Sequence, residues 1–175
     1  MSDDDARALT DERRRLMHEL ELERNQLVRN IETCRIRDIE RPFIDQWSLK
    51  DIVGHVASWE AEFVTALREI RAGQRPALAD FDRSHHDQWN QDHVERKRDL
   101  NFWSVFEQLR GGRTRFLEEL AQISDEDLLA DDSPSGRLVR AAIEHDREHW
   151  HRMAAVLAGL ENERKGRSHP ASSSS

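Results

Sequence analysis

The sequence has no tyrosine, a single cysteine and only four prolines, and it lacks long hydrophobic runs. Because Cys34 has no second cysteine to pair with, an internal disulfide is excluded, which is typical of a reducing compartment. No stretch approaches the roughly 18 apolar residues that a membrane-spanning helix needs, and the N-terminal residues contain no apolar signal core. We therefore expect a cytoplasmic protein that does not interact with membranes.

An excess of positive charge is also missing. The net charge is −8, and the arginines are interspersed with aspartate and glutamate. Binding to nucleic acid through phosphate neutralisation needs clustered positive charge, so we expect no nucleic-acid partner. The sequence also lacks a glycine-rich phosphate loop and a GxSxG motif. The HEXXH motif of zinc proteases fails because Asp146 follows His145 where the motif requires glutamate.

The apolar residues recur with helical spacing. Alternation of the kind that strands show never lasts five residues, whereas apolar positions repeat every three, four or seven residues. A hydrophobic content of 37% with 35% charged residues suits slender amphipathic helices. We predict an all-α fold as one domain over residues 1–164. The polar, serine-ending segment 165–175 is predicted to be a disordered tail.

The spacing predicts four long helices. The first covers about residues 4–35 and is followed by a connection over 36–46. The second helix begins at Ser48, which forms a capping box with Asp51, and it ends at Gly73.

A polar, histidine-rich stretch, residues 74–100, follows the second helix. It is predicted to be a long crossover with a short helix near 87–97. Asn101 is expected to cap the third long helix, and Ser124 a short helical turn. The last helix is predicted over about 135–161. Four long helices and one long crossover are the elements of a four-helix bundle.

Two features raise the question of a second subunit. Gly111 and Gly112 inside the third long helix are explained either by a tolerated kink or by close approach of a neighbouring helix or subunit. The last helix has apolar residues on a second side, which favours a subunit contact there and hence a homodimer. These residues are Val139, Ile143, Trp150 and Leu157.

His145 and His149 are the strongest candidate functional residues. They are four apart on the last helix, on the side of the apolar residues Leu138 and Ala142, so both rings are predicted to point into the core. A buried imidazole needs a partner for each ring nitrogen, and one shared metal ion satisfies two rings. His55, at the edge of the apolar stripe of the second helix, is a candidate third ligand. Three imidazoles leave a coordination position open, as in catalytic sites.

The histidine pattern is also compatible with a site that holds no metal, since histidines bonded to carboxylates would produce it. Asp146 and Glu148 are expected to be surface charges, although Glu148, one turn from His145, is a candidate for orienting an imidazole. The crossover histidines are expected to be solvated, with the alternative that one of them, or Asn90, lines the pocket. These are His85, His86 and His93.

Two stretches carry a family resemblance: WSLKDIVGHVASWE at residues 47–60 and HDREH at residues 145–149. They resemble the DinB/YfiT-like superfamily of damage-inducible bacterial proteins described as metal-dependent, which is distinct from the DNA polymerase that shares the DinB name. The Trp-Ser start, the aspartate before His55, the Trp-Glu pair after it and FLEEL at residues 116–120 are most similar to the ClbS/DfsB-type branch. The resemblance covers roughly residues 8–160.

The resemblance implies a four-helix bundle with an up-down-down-up arrangement, commonly dimeric. Its metal ligands would map to His55, His145 and His149, and nickel or zinc are the usual metals. We therefore expect a divalent metal, namely zinc, nickel or iron.

Superfamily members with known activities include thiol-dependent S-transferases, a maleylpyruvate isomerase and a protein that disarms a reactive genotoxin. We accordingly expect a metal-dependent enzyme, of the hydrolase or thiol S-transferase type, that acts on a small electrophilic molecule in detoxification or stress response. The sequence identifies no catalytic residue, and a water or thiol bound to the metal is the expected reacting group. The alternatives are a non-catalytic protein that sequesters a metal or a small molecule, and a purely structural dimer.

Overall fold

The computed structural model describes residues 3–35 and 39–167. Helices dominate these residues, so the predicted helical class is confirmed. None of the described helices combines the length and the hydrophobicity that crossing a membrane requires. In chain order the elements are α1 (Asp3–Thr33), β1 (Pro42–Ile44), β2 (Trp47–Ser48), α2 (Leu49–Arg71), α3 (His86–Arg96), α4 (Phe102–Leu120), α5 (Asp125–Leu129) and α6 (Pro134–Arg167).

A small antiparallel hairpin, β1–β2, departs from the all-helical prediction. It lies at the end of the predicted connection and pairs Ile44 with Trp47. Asp45 takes a positive φ of 54° in the turn, a conformation that aspartate adopts more readily than most residues. Strands of three and two residues are too short to show an apolar/polar alternation, so the sequence does not predict the hairpin.

The predicted helix starts are confirmed. The side chain of Ser48 accepts a hydrogen bond from the Asp51 backbone, and the Asp51 side chain accepts from the Ser48 backbone, so the capping box of α2 is complete. Asn101 caps α4, and Ser124 caps α5. Side chains that satisfy the free N–H groups of a first turn are local signals, and the sequence therefore places them well.

The crossover from α2 to α4 contains two 3-10 turns, Ala77–Asp80 and Arg83–His85, and then α3. This confirms the short helix predicted near residues 87–97. Helix α3 packs against α2, so the crossover folds back over the helix that it leaves. The last helix is longer than predicted and ends at Arg167, and residues 168–175 lie outside the described residues, so the disordered tail stays a prediction.

Two clusters of buried apolar side chains form the core. The first joins the C-terminal part of α1 to the N-terminal halves of α2 and α4 and to Met153 of α6. The second joins Leu20 of α1 to the C-terminal halves of α2 and α4 and to the N-terminal part of α6. Each of the four long helices therefore passes through both clusters.

The apolar second side of α6 is covered within the chain. Val139 and Ile143 are buried in the second cluster, and Trp150 packs against the first cluster while its indole nitrogen donates to Glu23 of α1 over 2.6 Å. Helix α1 lies along α6 and supplies this cover. These residues therefore give no reason for a subunit contact, and the homodimer stays a prediction.

Close approach of a neighbouring helix accounts for Gly112. A Cβ atom built there would lie 3.1 Å from Cγ of Glu60 on α2, which is tighter than ordinary van der Waals contact. A Cβ atom at Gly111 would meet only the flexible end of Arg115, at 3.4 Å. The glycine at position 112 is therefore explained by the close approach of α2, and not by a tolerated kink.

Candidate metal centre

Two helices bring the three predicted ligands together. His55 lies at the end of the second turn of α2, and His145 and His149 lie one turn apart on α6. The Nε2 atom of His145 is 3.0 Å from Nε2 of His55 and 3.1 Å from Nε2 of His149. The three histidines could hold one metal ion, since their ligand atoms all lie within 4.8 Å of one another. That they bind one stays a prediction.

Hydrogen bonding alone does not satisfy this arrangement. An imidazole nitrogen has either one N–H or one lone pair in the ring plane, so Nε2 of His145 makes one well-directed hydrogen bond, yet it faces two ring nitrogens. A single cation between the three rings would accept one lone pair from each of them. Nitrogen ligands at about 2.0–2.1 Å from a tetrahedral zinc ion lie roughly 3.3–3.4 Å apart, close to the two separations from His145. The residues present therefore fit a metal.

All three imidazoles are held in the neutral form. Burial lowers the pKa of His55 to about 2 and the pKa of His149 to about 4, and the positive charge of Arg152 acts in the same direction on both. Burial also brings the pKa of His145 well below its usual 6.5. A neutral imidazole keeps the lone pair that a metal needs.

Pairing with carboxylates does not explain His55. Its Nδ1 atom is buried and has no hydrogen-bond partner within residues 3–35 and 39–167, and its Nε2 atom faces His145. A ring that coordinates through Nε2 carries its proton on Nδ1. The alternative in which each histidine is bonded to an acid is therefore not what the structure shows at this position.

A cavity of about 350 Å³ opens beside the three histidines, and we call it the small cavity. The β1–β2 hairpin forms one wall, where the Trp47 ring lies 5.0 Å from the His55 ring between centroids. Arg152, one turn beyond His149, donates to Asp45 in the hairpin turn over 2.9 Å and so ties this wall to α6. Helix α3 supplies the opposite wall through His86 and Asn90.

A second and larger cavity, of about 850 Å³, adjoins the small one, and we call it the large cavity. Its walls come from α2, the crossover and the start of α6, and the aromatic side chains of Trp59, Phe63 and Phe81 are among those that line it. His86, Asp87 and His145 line both cavities, so they lie where the two cavities meet. A concave, largely apolar space with a few converging polar groups is the usual form of a small-molecule site.

The family model of the DinB superfamily matches residues 8–153, which is most of the chain. The chain belongs to the DinB superfamily. No curated protein and no solved structure matches it. The broader part of the family prediction is thereby confirmed, and both stretches that carried the resemblance fall within the matched range.

In this DinB-superfamily chain the crossover histidines differ in their surroundings. His86 and Asn90 line the small cavity, which confirms the alternative that the crossover contributes to the pocket. His93 instead stacks on Trp89, with ring centroids 3.6 Å apart, and bonds to the Trp89 carbonyl. His85 is exposed beside Asp82.

The two acids that flank the histidine pair have different positions. Glu148 is exposed, as predicted, and lines the small cavity, where its negative charge raises the pKa of His149 against the effect of burial. The prediction of Asp146 as a surface charge is wrong, because it is only 1% exposed. Its carboxylate accepts hydrogen bonds from Arg24 and Arg113.

Asp146 belongs to a buried ionic layer that joins the four long helices of this DinB-superfamily chain. Arg24 of α1 donates to both oxygens of Asp146 over 2.9 Å and to Glu60 of α2 over 2.8 Å. Arg113 of α4 donates to Glu60 over 2.6 Å and to Asp146 over 2.9 Å. The two guanidinium groups hold the pKa of Glu60 below its ordinary value of 4.5, although burial alone would raise it. The layer is electrically neutral as a whole.

The ionic layer lies between the two apolar clusters, and the sequence contains a signal for it. Each long helix has a charged residue at a position where the apolar spacing calls for an apolar side chain, and α1 has two, Glu23 and Arg24, both of them buried. Arg24 stands between Leu20 and Leu27, and Arg113 stands between Leu109 and Phe116. Glu23 accepts from Arg147 and Trp150 instead, and the remaining two basic and two acidic residues, one per helix, are the numbers that a neutral buried layer needs.

Proposed function

We propose that this chain is a metal-dependent enzyme of the ClbS/DfsB-type branch, acting on a small electrophilic molecule by hydrolysis or thiol S-transfer in detoxification or stress response. The observation that carries the proposal is the position of the His145 Nε2 atom, which is 3.0–3.1 Å from two further imidazole nitrogens at the junction of two cavities. The similarity of residues 47–60 and 116–120 supports the branch.

We also propose the four-helix bundle with an up-down-down-up arrangement. The order in which each helix meets the two clusters supports it. Helices α2 and α4 pass from the first cluster to the second, whereas α1 and α6 pass from the second to the first. Two consecutive long helices that run in the same direction require a long crossover, which α3 and its flanking turns provide.

In the proposed site, His55, His145 and His149 hold a zinc, nickel or iron ion. When bound, such an ion supplies a Lewis acid that polarises a substrate oxygen or lowers the pKa of a water or thiol. The chain itself keeps the three imidazoles neutral, shields them with the hairpin and α3, and offers the large cavity to the apolar part of a substrate.

Metal analysis of the untagged protein tests this proposal. We expect about one divalent ion per chain after loading with zinc, nickel or iron, since the three histidines form one site. His149→Ala should lose the metal while its helical circular dichroism survives. His151→Ala is the matched control, because His151 is exposed on the same helix two residues away, and it should keep the metal.

A metal content that stays near zero in the native chain would contradict the proposal, and full occupancy in His149→Ala would show that the ligands are wrong. Hydrolase and thiol-transfer assays with epoxide and activated-ester probes then decide between turnover and sequestration. Stoichiometric capture of a probe without turnover would support a sequestering protein instead of an enzyme.

A further inference from the structure

A short chain of hydrogen bonds leads from α2 through α3 to the junction of the two cavities. The indole Nε1 of Trp59 is 3.0 Å from Oδ1 of Asn90, and Nδ2 of Asn90 is 3.1 Å from Nδ1 of His86. An indole nitrogen only donates, so the amide oxygen of Asn90 must face Trp59. The amide NH₂ group therefore faces His86 and donates to it.

This direction fixes the tautomer of His86. Because Nδ1 accepts a hydrogen bond from Asn90, the neutral ring carries its proton on Nε2. The arrangement is held in place, since Trp59 is 8% exposed, Asn90 is 6% exposed, and the His86 ring stacks on Trp59 with centroids 5.5 Å apart. Two buried side chains thus decide which nitrogen of a more exposed ring is the donor.

Asp87 is the charge that would favour the opposite tautomer. One of its oxygens is 3.6 Å from Nδ1 of His86, which is longer than a hydrogen bond, and its side chain is fully exposed. Solvent screens such a charge, whereas the amide of Asn90 is buried and within hydrogen-bond distance of His86. Asn90 therefore prevails over Asp87 in setting the tautomer.

We propose that His86 is a specificity-determining residue, whose Nε2–H donates to a carbonyl-type oxygen of a substrate that places its apolar body in the large cavity. His86, Asp87 and His145 line both cavities, so a molecule seated in the large cavity lies beside the His86 ring and the histidine site at once. The substrate class is a compact apolar molecule with an acceptor oxygen at its reactive end. This inference rests on the proposed function in one respect only, namely that the acceptor oxygen belongs to the part of the substrate that reacts.

The tautomer is tested by ¹⁵N–¹H spectra of the histidine rings, before and after loading with zinc. In the native chain, His86 should be protonated on Nε2 and unprotonated on Nδ1. Asn90→Asp keeps an acceptor for Trp59 but replaces the NH₂ donor with a carboxylate, so Nδ1 of His86 should become protonated. Gln91→Glu is the same amide-to-acid change on the exposed neighbour and should leave the His86 signals as they are.

Ligand recognition is tested with acetophenone and ethylbenzene, two probes of similar shape of which only the first has an acceptor oxygen. His86→Phe keeps a ring on Trp59 and removes the donor. It should weaken acetophenone binding about three- to tenfold, the effect of one hydrogen bond, and leave ethylbenzene binding unchanged. Unchanged ethylbenzene binding also shows that the variant is folded.

An Nδ1–H tautomer in the native chain, or equal changes in affinity for both probes, would overturn the inference. These readouts do not depend on a bound metal. A chain that binds no zinc but shows the predicted tautomer and probe preference would contradict the proposed function alone, whereas a chain that binds zinc without them would contradict the inference alone.

Discussion

The ionic layer shows how four charged side chains are accommodated in the core. Arg24, Glu60, Arg113 and Asp146 are each no more than 7% exposed, and burial of an unpaired charge costs several kcal/mol. Each member is bonded to both members of opposite charge, and Arg113 also donates to the Leu20 carbonyl over 3.0 Å. The removal of one charge would leave the remaining three unbalanced.

Asp146→Asn should therefore lower the free energy of unfolding by about 3–5 kcal/mol, because an isosteric amide leaves a buried net positive charge. Urea denaturation of the metal-free protein measures the change. Glu148→Gln is the control, since Glu148 is exposed two residues away, and its effect should stay within about 0.5 kcal/mol. An Asp146→Asn variant as stable as the control would show that the layer does not depend on this carboxylate.

At the residue scale, the sequence best predicts where a side chain lies when its location depends on a single helix. The spacing of His145 and His149 puts both rings on one face of α6, and the structure confirms that they converge. Asp146 lies between them, and the sequence alone predicts it at the surface, because its burial depends on arginines 33 and 122 residues away in the chain. Likewise, the direction of the Asn90 amide depends on Trp59 of another helix, which no local pattern reveals.

At the element scale, α2 and α4 approach each other closely where Glu60 faces Gly112. The two guanidinium groups that bind Glu60 fix its carboxylate, so its Cγ has little freedom to move away from an added methyl group. Gly111, on the other side of α4, faces only the end of Arg115. The adjacent glycines therefore have different roles, although a sequence pattern treats them alike.

Gly111→Ala should raise the free energy of unfolding by about 0.5–1 kcal/mol, since alanine favours the helix. Gly112→Ala should fail to gain this amount and should destabilise the chain, because the new Cβ atom would lie 3.1 Å from the Glu60 side chain. Thermal or urea denaturation of the two variants under identical conditions measures the difference. Equal stabilisation by both substitutions would contradict the assigned close contact.

The sequence predicts the starts of helices best, and it does not predict the hairpin. The caps at Ser48, Asn101 and Ser124 act within three residues, so the sequence contains all the information needed. The β1–β2 hairpin is stabilised by its packing beside the first cluster, where Phe43 is buried. Such packing is a tertiary effect, and two strands of this length have no stability of their own.

At the scale of the whole molecule, the candidate site depends on distant parts of the chain meeting. His55 is 90 residues from His145, and the hairpin and α3 that enclose the histidines come from the two connections on either side of α2. Helical spacing makes His55 a candidate third ligand, and the family resemblance adds independent support for it. The hairpin wall and the His86–Asn90 wall could be placed only from the three-dimensional arrangement.

X-ray absorption spectroscopy of the zinc-loaded protein tests most directly whether the three histidines form one metal site. We predict a first shell of nitrogen and oxygen at about 2.0–2.1 Å with outer-shell scattering from three imidazole rings. His149→Ala should reduce the imidazole scattering, and His151→Ala should not. A shell that contains sulfur at about 2.3 Å, or one without imidazole scattering, would contradict the three-histidine site.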